Sequence, residues 1–168
     1  MTKIHVVSGN PLATALPVVM IVDRASLLES LQIWFPITDY PVGVSKIYNG
    51  LLTASAVAAK FTPGCAAIIN RAFMALPFET AIFVASSRRA PFPLDMMVEG
   101  ALEIASAFGV NEVAIPGLHW GIDLTAQEMI DLAKLLLAGY PHIHQVSVIF
   151  PDNREALIFS QVLKRLSC

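Results

Sequence analysis

Charge is scarce in this chain. Asp, Glu, Lys and Arg make up 14% of its 168 residues, while 55% are hydrophobic. An ordinary soluble domain carries about 25% charged residues. So thin a polar cover points to extensive burial, including a surface shared with a second copy or a protein partner. It does not point to a membrane span. Pro, Asp, Arg or Glu interrupts every apolar run before it reaches the roughly 18 residues a span needs. The opening MTKIHVVSGN has no leader-like apolar segment, so a cytoplasmic location is expected. Cysteine is nearly absent, and Cys65 and Cys168 form no metal-ligand spacing; neither a metal nor a cofactor is implied. A net charge of −2 argues against a general grip on nucleic-acid phosphates. The length fits one domain, residues 1–168, and there is no internal repeat or low-complexity linker.

What the chain does have is a series of short apolar runs punctuated by turns. Lys3–Val7, Val18–Val22, Cys65–Asn70, Thr80–Ala85, Glu112–Ile115 and Gln145–Phe150 read as strands, most of them continuous enough for a sheet covered on both faces. Helical spacing follows several of them. Leu27, Leu28, Leu31 and Trp34 form a stripe after Ser26, and Leu51–Lys60 is rich in Ala and Leu. Met97, Ala101, Ile104, Ala105 and Phe108 repeat along Leu94–Phe108, with Gly109 to end it. Leu157, Ile158, Val162 and Leu166 are the expected inward face of the last helix, Asn153–Leu166. Strands alternating with helices through the second half predict a largely parallel sheet with helices on both faces, a three-layer α/β/α domain.

Ligands in such sheets lie beyond the carboxyl ends of the strands. Three loops fit that place: Ser8–Pro11, Asp23–Ser26 and Pro116–Asp123. The third has the most to offer. Pro116-Gly117 ends a strand, and Thr125 stands three residues before Glu128, the spacing of a capping box, so a helix is expected from about Ala126 to Gly139. A glycine-bearing loop that runs into a helix N-terminus suits an anion. It is also an ordinary strand-to-helix turn in many folds that bind nothing there.

The order of these motifs resembles the macro domain, the ADP-ribose-binding fold. IHVVSGN resembles that family's first strand and Gly-Asp step, and VVMIVDRAS its strand running into an Asn-Ala-Ala-Asn turn. FTPGCAAIINRAFMALPFETAIFVAS is similar to its strand pair joined through Leu-Pro, and VNEVAIPGLHWGID to its strand and phosphate loop. The resemblance implies a mainly parallel mixed sheet and ADP-ribose or a related nucleotide diphosphate as ligand. The implied contacts are Gly9, Asn10, Asp23, Arg24, Gly117, His119, Trp120, Gly121, Ile122 and Asp123.

The departures carry information too. Asn10 replaces the Asp that accepts from the adenine amino group, and so lacks the charge that strengthens such a bond. Asp23-Arg24-Ala25-Ser26 replaces the Asn-rich turn, and only Gly43 and Gly50 remain where the family has a run of glycines. The asparagine that family hydrolases place near the distal ribose is therefore missing, and no hydrolase activity is expected. His119 and Trp120 are bulkier than the Ser-Thr they replace.

Several pairs admit two readings. His119 and Asp123 are four apart around a loop, a candidate acid–base pair, but no nucleophile stands with them. His142 and His144 share a strand face and are better read as an edge pair than as metal ligands. Asp23 and Arg24 suit a ribose and phosphate, or an internal salt bridge. Arg88-Arg89 suits an anion, or solvent. Trp120 suits a stacked base, or burial against the next helix. Two functions follow: a nucleotide-binding module, or an assembly subunit whose cleft has closed.

Overall fold

The computed structural model describes residues 1–11, 14–23, 66–70, 80–86, 93–119 and 122–168. The helices expected after Ser26 and over Leu51–Lys60 lie outside these residues, as do Arg24, Arg88, Arg89, Trp120 and Gly121. In chain order come β1 (Lys3–Ser8), β2 (Val18–Asp23), β3 (Ala66–Asn70) and β4 (Thr80–Ser86). Next are α1 (Leu94–Ala107), β5 (Glu112–Pro116), β6 (Leu118–His119) and β7 (Ile122–Asp123). Finally come α2 (Ala126–Ala138), β8 (Gln145–Phe150) and α3 (Asn153–Ser167).

Six strands form one sheet in the order β1-β8-β5-β2-β4-β3. All its pairings are parallel except β3 with β4, which is antiparallel. The expected mainly parallel mixed sheet is therefore present. Its middle strands read as unbroken apolar runs because both faces are covered. On one face Val113, Ile115, Val146, Val148 and Phe150 join the helices in a common core. On the other, Val18, Ala114, Ser147 and Ile149 are buried as well. β1 differs, with Ile4 and Val6 packed on the core and Lys3, His5 and Val7 exposed. That alternation marks a strand covered on one face only.

The three described helices line the core face. α1 packs over β2, β3 and β4, α3 over β1 and β8, and α2 lies between α1 and α3. Met97, Ala101 and Ala105 of α1 are buried as the spacing predicts, but Phe108 is 70% exposed. Phe108 is the C-cap, and Gly109 follows at φ 74°. The N–H of Gly109 donates to Ser106 O and that of Val110 to Ala105 O. This pair of bonds is a Schellman ending, which requires a residue tolerant of positive φ and turns Phe108 off the inward stripe.

α3 corrects the sequence expectation more sharply. Its inward residues are Ala156 and Phe159, with Val162 and Leu163 partly buried, whereas Leu157, Ile158 and Leu166 are exposed. The ring of Phe159 decides the rotation. It sits 5.3 Å, centroid to centroid, from Phe150 of β8, a contact that a stripe centred on Leu157 would forfeit. Phe159→Ala is accordingly expected to cost about 3–5 kcal/mol, and Leu157→Ala to stay within about 0.5 kcal/mol. Urea denaturation of the two variants checks the rotation; a larger loss at Leu157 would contradict it.

Candidate functional site at the strand ends

The carboxyl end of β8 gathers the loops on either side of it. Gly9, leaving β1, donates its N–H to Phe150 O at 2.9 Å, and Gly117, leaving β5, donates to Ile149 O at 2.7 Å. Strands lie about 4.8 Å apart, so the β1 and β5 exits stand about 10 Å apart with β8 between them. Gly117 is fixed by sterics as well as by its hydrogen bond. A Cβ there would fall inside the ring of Phe150, within 2.6 Å of Cγ. With its N–H committed to Ile149, Gly117 shapes the loop and has no amide to offer an anion.

The third exit is set apart from these two. β2 and β5 share a single bridge, Val18 opposite Ala114, secured by Ala114 N–H donating to Pro17 O at 2.7 Å. β2 then continues beside β4 as far as Asp23 opposite Ser86. The ladder between β2 and β5 thus stops well before their carboxyl ends. Gly9, Asn10 and Asp23 end their strands on the same edge as Gly117, and Asn10 is exposed.

The stretch after β5, expected as a glycine-bearing loop, contains two short strands. β6 and β7 form an antiparallel ribbon with Leu118 opposite Asp123 and His119 opposite Ile122. Trp120 and Gly121 lie between the two strands in sequence. This register separates the candidate pair His119 and Asp123. Side chains alternate faces along a strand, so the one beside Ile122 points away from His119. Asp123 and Ile122 are exposed.

His119 turns instead to Glu128. Its Nδ1 lies 2.5 Å from Glu128 Oε1, with the side chains 13% and 24% exposed. The same carboxylate completes the expected capping box. Glu128 Oε2 accepts from Thr125 N–H at 2.9 Å, and Thr125 Oγ1 accepts from Glu128 N–H at 3.2 Å. Sequence spacing located the cap and missed the histidine, although a carboxylate with one oxygen in the box has a second to spend. Burial pushes the Glu128 carboxyl up, but the His119 side chain and the Thr125 N–H outweigh it and hold the group below its ordinary value of 4.5. The α2 N-terminus therefore carries a negative charge of its own. His142 and His144 flank buried Ile143 and are both exposed; no group of three metal-ligating side chains occurs among the described residues.

No protein-family model matches the chain, and no curated protein does. Solved structures do. The Oceanobacillus iheyensis macrodomain with ADP is 16% identical, covering 96% of this chain and 90% of that one at a TM-score of 0.66. A variant of it with ADPR gives 14% identity, 96% and 91% coverage and a TM-score of 0.66. The macrodomain of Mycobacterium tuberculosis DarG is 18% identical, covering 91% of this chain and all of that one at 0.56. At these identities the likeness defines the class by fold: the chain has the α/β macrodomain fold, in a divergent form.

Because the folded pKa of Glu128 is depressed, its contribution to stability is complete above the ordinary value and is lost as pH falls through the folded value. Wild type is expected to lose more stability than Glu128→Gln as pH falls below the ordinary carboxylate value of 4.5. Parallel acid profiles in thermal melts of the two would contradict the clamp.

Proposed function

We propose that this chain binds ADP-ribose or a related nucleotide diphosphate across the strand ends and does not hydrolyse it. The observation that carries the reading is the arrangement of exits. β8 holds the Gly9 and Gly117 turns side by side, and the β2–β5 ladder stops after Val18 and Ala114. From β1 to β2 is at least three inter-strand spacings, about 14 Å, a span that suits an elongated ligand with a base at one end and a sugar at the other. The macrodomain neighbours solved with ADP and with ADPR support the ligand class.

In this reading Gly9 and Asn10 meet the base end, Asp23 and Arg24 the distal ribose, and the loop that Gly117 shapes, as far as Ile122, the phosphates. Within that stretch His119 is tied to Glu128. Hydrolysis is not expected, because Asp23 and Arg24 stand where the resemblance puts a water-orienting asparagine. The second reading, an assembly subunit with a closed cleft, draws on a different observation. Leu157, Ile158 and Leu166 are exposed on α3, where apolar side chains suit a second copy or a protein partner.

Calorimetry with ADP-ribose, ADP and AMP separates the two. ADP-ribose is expected to bind with a micromolar Kd, about −8 kcal/mol. Gly121→Glu should abolish that heat with the fold intact, since its carboxylate repels phosphate. The same preparation should release no ADP-ribose from a modified protein. Absence of heat at high micromolar ligand would remove the binding reading, and robust release would overturn the inactive one.

A further inference from the structure

The ribbon that carries the proposed phosphate contacts is too short to hold its own shape. Two register pairs define it, Leu118 with Asp123 and His119 with Ile122. An isolated hairpin, even a longer one, is marginal in water. Its second strand adds little burial, since Ile122 is 69% exposed and Asp123 is exposed too. The ribbon is held at its two ends, where Gly117 N–H donates to Ile149 O and Leu124 is buried in the core; between them His119, on its first strand, meets a carboxylate in the first turn of α2. A hydrogen bond to an ionised carboxylate in a site screened from water is among the stronger ones available to a side chain.

We infer that Glu128 is a positioning residue for the proposed ligand site: acting through His119, its carboxylate fixes the β6–β7 ribbon against the start of α2. The inference rests on the strand-end site proposed above. The chain of contacts runs Thr125 N–H to Glu128 Oε2 and Glu128 Oε1 to His119 Nδ1. One side chain thus sets both where the helix begins and where the ribbon lies. Loss of the capping hydroxyl alone leaves the His119 contact in place, which lets the two roles be separated.

Trp120 follows His119 directly in sequence and serves as the reporter. The chain has two tryptophans, so Trp34→Phe leaves Trp120 as the only indole. In that background Glu128→Ala and His119→Ala should each raise acrylamide quenching of Trp120 by about twofold or more and weaken ADP-ribose binding about tenfold. The double variant should match His119→Ala, in which the Glu128 contact is already gone. Glu128→Gln, which keeps one acceptor and the side-chain length, should restore part of the loss. Thr125→Ala should lower the melting temperature and leave quenching and affinity as they were. Unchanged quenching in both alanine variants, additive effects in the double variant, or an equal effect from Thr125→Ala would each overturn the inference. If wild type binds no ADP-ribose, the binding proposal fails, and the quenching series still decides whether Glu128 places the ribbon.

Discussion

The end of β8 is the constraint on which the rest of the strand-end architecture depends. Phe150 is fully buried and packs on Phe159, so it ties α3 to the sheet. Its ring fills the space that a side chain at Gly117 would need, and its carbonyl holds Gly9. Ile149, one residue earlier, holds Gly117. Two consecutive residues on a central strand thereby set the exits of both neighbouring strands. This is a packing constraint before it is a functional one, since a buried aromatic in a close-packed core leaves little freedom to what surrounds it.

That fixed edge is what the proposed binding reading rests on. Parallel strands bring their carboxyl ends to one side, and the short β2–β5 ladder separates the Asp23 exit from the other two. At the start of α2, Glu128 Oε2 already accepts from Thr125 N–H. The departure from a plain glycine-bearing loop lies in His119, which exchanges an open backbone for a side-chain clamp.

Much of the fold was legible in the sequence because burial on both faces leaves an unmistakable trace. Continuous runs such as VVMIVD and QVSVIF admit little but buried strands, and Thr125 with Glu128 placed the start of α2. The rotation of α3 was not legible. Leu157, Ile158, Val162 and Leu166 follow helical spacing as well as Ala156, Phe159 and Leu163 do, and only the ring opposite, Phe150, decides between them. The pairing of His119 was hidden for a related reason. Local spacing offered Asp123, but the ribbon register sends the two to opposite faces and brings in a residue nine positions on.

The most direct test of the strand-end site is a backbone amide NMR titration of the intact chain with ADP-ribose. The expected result is saturable shifts at Gly9, Asn10, Asp23, Ile122 and Asp123, with the exposed outer face of α3 at Leu157 and Gln161 unmoved. Shifts centred on α3, or none at the strand ends under saturating ligand, would contradict it.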